Sequence, residues 1–228
     1  MNTNKYQILN GSWLKVIAMV TMAIDHTASY LPVLHQWPEL CWLMHTVGRV
    51  AFPVFAFLLV EGFIHTHDRR KYGRNLLVLA LVSQAPWALA HLNSKFWLHG
   101  NVGFTLLLGF LTLYLWEYMK ENRVRQTLAL ITVFLAAYVL KVDYNIGGVG
   151  LILLLYVLRE QKVLKLFLGT CIIARRYIPG VAAGFALLAL YNGKRGFITG
   201  SFGKYLFYAF YPLHLLLLYL LRTYWLTT

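Results

Sequence analysis

Leu14-Lys15-Val-Ile-Ala-Met-Val-Thr-Met-Ala-Ile-Asp25-His26 is the stretch on which the reading of this chain turns. A lysine opens an otherwise apolar helical run, and an Asp-His pair stands where hydrocarbon would be, at a cost of at least ~2.5–3.5 kcal/mol for an ionisable group at mid-bilayer. Lys15 and His26 are eleven residues apart. Eleven helical steps of about 100° return to within about 20° of the start and advance about 16 Å, so one stripe carries both. That stripe puts a cation at one interface and an imidazole past the midplane, an arrangement able to hold an anionic tail at the surface while its reactive end lies deep. Lys15 read alone fits a snorkelling anchor equally well. Asp25, one step of about 100° from His26, needs its partner on another helix.

The rest of the chain is of the same character. Of 228 residues, 59% are hydrophobic, 16% aromatic and 13% charged, and the mean hydropathy is +0.59. A water-soluble globule carries about 25% charged residues, so this composition excludes one and leaves no stretch for a separate soluble domain. Nine apolar stretches are read, at 13–32, 42–65, 74–92, 102–119, 126–140, 146–159, 163–175, 179–191 and 204–224. The expectation is an all-α integral membrane protein, one polytopic domain over 1–228 with about nine transmembrane helices. Stretches five to eight fall short of the roughly 20 residues a crossing needs, so tilted, half-inserted or protein-shielded helices are expected among them.

Loop charges set the orientation. With the N-terminus cytoplasmic, the inner set is Lys5, Lys15, Arg69, Arg70, Lys71, Arg74, Lys120, Arg123, Arg125, Arg159, Lys162, Lys165, Lys194, Arg195 and Lys204. The outer set is Lys95, Lys141, Arg175, Arg176 and Arg222, with Arg49 inside a stretch. The net charge of +13 is thereby assigned to cytoplasmic loops rather than to nucleic acid. Trp13, Trp37, Trp42, Trp87, Trp97, Trp116 and Trp225 fall near span ends, where interfacial indoles belong. The first stretch is too long for a signal core and is read as a retained helix. Cys41 and Cys171 give neither a disulfide framework nor a metal spacing, and no metal is expected. No phosphate loop, dinucleotide fingerprint or internal repeat is found.

The second stretch reads His45-Thr-Val-Gly-Arg49-Val-Ala-Phe-Pro53 and ends Glu61-Gly62-Phe63. His45 and Arg49 share a face at i, i+4, and Pro53 denies Arg49's carbonyl its helical donor, so a kink is expected there. Running outside to inside, this stretch sets Arg49 near the depth of His26, as a counter-charge for Asp25, and Glu61 towards the cytoplasm. The last stretch, Lys204-Tyr205-Leu-Phe-Tyr208-Ala-Phe-Tyr211-Pro212-Leu-His214, aligns Lys204, Tyr208, Tyr211 and His214 on one side. Before it, Tyr191-Asn-Gly193-Lys194-Arg195-Gly196 sets glycines beside two cations, a combination able to hold phosphates or simply a positive-inside turn. Asp143 is expected as a solvated loop residue, Ile146-Gly147-Gly148-Val149-Gly150 as a close-packing segment, and His65-Thr-His67-Asp68 as a solvated turn.

Four of these pieces together resemble the TraX family of conjugal-transfer proteins: Leu14-Lys15 through Asp25-His26, Gly48-Arg49 through Glu61-Gly62-Phe63, Tyr191 through Gly196, and Lys204 through Tyr211-Pro212-Leu-His214. The resemblance implies an integral membrane acetyltransferase of the bacterial cytoplasmic membrane, associated through the family founder with N-terminal acetylation of pilin. The chain also looks like the wider superfamily of transmembrane acyltransferases, in which a basic or polar residue precedes a catalytic histidine by eleven positions on the first helix, here Lys15 and His26. That superfamily often ends its second helix in Ser-Gly-Phe, whereas Glu61-Gly62-Phe63 stands here. Glu61 either binds a cationic group or is structural.

The expected reaction moves an acetyl group from cytoplasmic acetyl-CoA to an amine, with a pilin-like protein as the implied partner, or to a hydroxyl. His26 is the expected base or acyl carrier, with Asp25, Arg49 and His214 around it. Lys15, Arg49, Lys194, Arg195, Lys204 and Tyr208 are the expected acetyl-CoA contacts, and Glu61, His45 and Tyr211 the expected substrate contacts. The rival from another class is a proton-coupled transporter or lipid-handling protein, in which the same ionisable residues relay protons or hold a head group. A third reading is an inactive family member serving as a scaffold.

Overall fold

The computed structural model describes residues 7–91, 98–174 and 177–227. Lys5, Lys95, Trp97, Arg175 and Arg176 lie outside the described residues, as do the side chains of Lys204 and Trp225. The described chain is helical, with ten α-helices. They are α1 (Gly11–Tyr30), α2 (Pro38–Gly48), α3 (Ala51–His65), α4 (Arg69–His91), α5 (Val102–Tyr118), α6 (Arg123–Val139), α7 (Asn145–Val157), α8 (Lys162–Ile173), α9 (Ile178–Ala189) and α10 (Gly200–Thr227).

Each apolar stretch of the sequence corresponds to one helix except the second, which is two. The expected kink at Pro53 is a break at Arg49 and Val50, between α2 and α3. Pro53 occupies the first turn of α3, where its missing N–H costs nothing. Two helical stretches, Pro38–His65 and Tyr205–Tyr224, are long and apolar enough to cross a membrane; Val102–Tyr118, Asn145–Val157 and Ile178–Ala189 are apolar but shorter.

α3 is the hub. Nine of its fifteen residues are buried, because α1, α5, α7 and α9 pack around it while α10 and α4 close the other side of α1 and α5. Small residues allow this crowding. A Cβ on Gly180 of α9 would strike the Thr46 carbonyl, and one on Gly184 would come within 3.0 Å of the Val50 carbonyl, so α9 lies directly over the α2–α3 break. A Cβ on Gly148 would meet Thr105 at 2.7 Å and Phe52 at 3.0 Å, so Gly148 is the close-packing glycine of α7, whereas Gly147 and Gly150 have ordinary van der Waals room.

Outward faces are apolar. α4 exposes Val78, Leu81 and Val82, α6 exposes Leu128, Ile131 and Leu135, and α10 exposes Leu213, Leu217 and Leu220. Such stripes at helical spacing far exceed the scattered apolar residues of a soluble surface.

The loop after α9 is strapped to the start of α1. Leu9 N–H donates to Leu190 O (3.0 Å) and Gly11 N–H to Lys194 O (2.8 Å). The buried Ser12 hydroxyl donates to Arg195 O (3.1 Å) and accepts from Ile198 N–H (2.6 Å). Gly196, at φ +87, approaches the Asn10 side chain so closely that no Cβ fits. Asn10 in turn caps α1, accepting from Ser12 and Trp13 N–H.

Candidate functional site

Two cavities lie along the stripe of α1, one at each end. The one at the C-terminal end of α1, the chamber, holds about 170 Å³ and is bounded by Asp25, His26, Tyr30, Arg49, Trp87 and Tyr144 among others.

His26 Nδ1 is 2.7 Å from His214 Nε2, and the two rings are parallel. The tautomers follow from the far end of this pair. His214 Nδ1 lies 2.8 Å from the Phe210 carbonyl, which can only accept, so Nδ1 carries the His214 proton. With that ring neutral, His214 Nε2 accepts and His26 Nδ1 donates. His26 Nε2 is then left with its lone pair, the form a base or nucleophile needs.

Asp25 faces away from this relay, towards α2. Its Oδ1 accepts from His45 Nδ1 at 2.9 Å and lies 3.6 Å from Arg49 Nη2. The expected Arg49 partner is present, with His45 nearer. Gly48 makes the approach possible, since any Cβ there would overlap the Asp25 side chain. The Arg49 guanidinium stands 5.3 Å from the Tyr177 ring centre and beside the Tyr144 hydroxyl. Its Nε is buried and has no hydrogen-bond partner among the described residues, an unused donor beside the chamber.

Several chamber residues were not placed at a site from sequence, among them Trp87, expected as an interfacial indole but 4% exposed. Tyr30, one turn after His26, sets its hydroxyl 3.3 Å from His91 Nε2, and Trp87 and His91 form the α4 wall. Asp143, expected as a solvated loop residue, is exposed but sits on the chamber's lip beside Tyr144. Tyr30 is the one of these with a local signal, its i+4 spacing from His26. Tyr211 is buried behind the relay, its ring centre 6.3 Å from that of His26, and supports the histidines by packing.

The cavity at the N-terminal end of α1 is a cleft of about 580 Å³ between α1, α3, α4, α10 and the strapped loop. Lys15, Lys71 and Arg195 bring cations to it, and Leu58, Leu79 and Phe207 an apolar wall. The Lys15 ammonium lies 5.4 Å from the Phe207 ring centre. Tyr208 also lines the cleft, whereas Lys194 is exposed outside the lining. Two carboxylates border it, each already engaged. Asp68 accepts from Lys71 N–H at 2.8 Å, capping α4. Glu61 lies 3.7 Å from His65 and against the Tyr191 hydroxyl; burial first, and then that carboxylate, push the Tyr191 phenol up to about 12. Among the described residues none of the three cations is held in an ion pair, which suits a phosphorylated ligand, and the apolar wall suits a long thin arm leading from it.

The chain resembles known proteins along nearly its whole length. The TraX protein family model matches residues 10–222. A protein of Dichelobacter nodosus described as "Probable fimbrial assembly protein FimC, serogroup H1" is 33% identical over 233 residues, covering 90% of this chain and 92% of that protein. No solved structure matches. With the match running from the cap of α1 past the His214 of the relay, the chain belongs to the TraX family.

Proposed function

We propose that this protein is an integral membrane acetyltransferase that takes an acetyl group from acetyl-CoA in the inner cleft and delivers it, in the chamber, to an amine such as the N-terminus of a pilin-like protein. The single observation that carries the reading is the His26–His214–Phe210 relay, which leaves an unprotonated Nε2 on the wall of a small polar chamber. The fimbrial assembly name of the Dichelobacter nodosus relative supports a pilin-like acceptor. The apolar outward faces of α4, α6 and α10 support a lipid surround, and the many inner Lys and Arg support a cytoplasmic N-terminus.

Lys15 and Arg195, with Lys71, hold the phosphates of the donor at the inner face, where Tyr208 lines the same cleft. Lys194, exposed in the loop after α9, adds to the attraction for the donor. Arg49 Nε, without a hydrogen-bond partner among the described residues, donates to the thioester oxygen as negative charge develops there. His26 Nε2 takes a proton from the acceptor nitrogen as that nitrogen bonds to the thioester carbon; the C–S bond then breaks and the proton leaves with sulfur as free CoA thiol. His214 holds His26 in the required tautomer, and Asp25, between His45 and Arg49, balances the guanidinium and fixes its position.

The test is thiol release from acetyl-CoA by purified protein with a small amine acceptor. Release lost in His26→Ala and lowered in Arg49→Ala, with the donor still bound by the first variant, is the expected result. A transporter reading draws on the same pair of opposed cavities, and it predicts substrate movement with no thiol release at all.

A further inference from the structure

Among the described residues, Phe55 alone lines both cavities. It lies on α3 six residues, about 9 Å along the helix, before Glu61 and six residues after Arg49, which stands at the break that precedes α3. Its ring is half-buried, and the Phe207 ring stands behind it at 6.0 Å between centres. Phe207 is in turn the ring on which the Lys15 ammonium rests. Phe55 is thus the wall shared by the cleft that holds Lys15 and Arg195 and the chamber that holds His26.

The chamber beyond is walled on its helix side by packed rings and opens at the Asp143 lip, where an acceptor enters. Phe52 is 2% exposed and Trp87 4% exposed, both locked in packing, with Phe52 stacked on Tyr144 at 3.6 Å. A cavity of about 150 Å³ holds one benzene ring, on the order of six heavy atoms. A chamber of about 170 Å³ therefore accommodates an acetyl thioester end together with an acceptor nitrogen, and each further methylene competes with the acceptor for the same space.

Resting on the acyltransfer reading above, we infer that Phe55 is the specificity-determining residue that restricts the donor to very short acyl chains, by narrowing the junction between cleft and chamber and closing the chamber's inner wall. Nothing polar is asked of it. Its ring limits length, while Lys15 and Arg195 bind the CoA head whatever acyl group is attached.

The experiment uses the full chain in detergent, with acetyl-, butyryl- and hexanoyl-CoA as donors and glycinamide as a small amine acceptor, and reads thiol release above a protein-free blank together with CoA binding by calorimetry. In the wild type, acetyl-CoA is expected to outpace hexanoyl-CoA by at least about 100-fold, since one misfitting methylene is worth roughly 10- to 200-fold. Phe55→Ala should shrink that ratio at least tenfold, chiefly by raising hexanoyl transfer, with Phe55→Leu giving an intermediate ratio and covering the case in which the alanine variant does not fold. Phe55→Trp should cut acetyl transfer at least tenfold while CoA binding is retained. Equal use of acetyl- and hexanoyl-CoA by the wild type, or an unchanged ratio in folded Phe55→Ala or Phe55→Leu, overturns the inference and leaves acyltransfer standing. Absence of both CoA binding and thiol release in folded wild type overturns the acyltransfer reading itself, and the inference with it.

Discussion

His214→Phe separates a relay that sets a tautomer from one that merely fills space. Phenylalanine keeps a flat ring beside Phe210, whose centre lies 4.8 Å from that of His214, but removes the acceptor for His26 Nδ1. The 2.7 Å contact is a hydrogen bond between neutral groups, worth about 1 kcal/mol net, and the stranded N–H adds a penalty that brings the loss to about 1–2 kcal/mol. At about 1.4 kcal/mol per decade, kcat for thiol release should fall roughly 5- to 30-fold. His26→Ala, which removes the base itself, should cost roughly 10²–10⁴. Affinity for CoA should not move, because the cations of the cleft lie at the other end of α1. His214→Gln, which restores an acceptor oxygen, should recover part of the rate, and the nitrogen chemical shifts of His26 should show its Nδ1 proton lost in the phenylalanine variant and regained in the glutamine one. A folded His214→Phe protein as slow as His26→Ala, or as fast as wild type, would refute the tautomer assignment.

Other consequences are more local. Gly48→Ala must push the Asp25 side chain aside, so the helix contact should loosen by about 1–3 kcal/mol, seen as a lower melting temperature in detergent. Gly180→Ala should be worse than Gly48→Ala in the same assay, since the opposing atom is a backbone carbonyl of Thr46 that cannot rotate away. Arg195→Ala and Lys15→Ala should each weaken CoA binding by about 1.5–3 kcal/mol, the worth of a charged hydrogen bond, and calorimetry at rising salt should show a shallower salt dependence than wild type. Ser12→Ala strands Ile198 N–H and the Arg195 carbonyl, which should destabilise the strap by about 1–3 kcal/mol and weaken CoA binding without altering the rate at saturating donor.

The helices were legible because apolar runs bounded by charge clusters need no tertiary information, and each of the nine stretches matches helical structure. The break between α2 and α3 was legible as well, since Pro53 denies the Arg49 carbonyl its helical donor and the chain leaves the helix at Arg49 and Val50. What was not legible is the helix that lies over it, α9, whose Gly180 and Gly184 come against Thr46 and Val50. No reading of residues 45–63 alone contains that contact.

The site divides along the same line. His26, Asp25, Arg49 and His214 were legible because an ionisable group in an apolar run is costly enough to announce itself. The order of partners was not, since His45 reaches Asp25 ahead of Arg49 only because Gly48 lets α1 and α2 touch. The chamber walls were hidden for the opposite reason: Phe55, Phe52 and Trp87 are apolar residues in apolar helices and carry no signal of function. A charged residue in such a protein shows in its sequence because it violates the solvent. A ring that limits the length of a substrate violates nothing, and its role is visible only where two cavities are seen to share it.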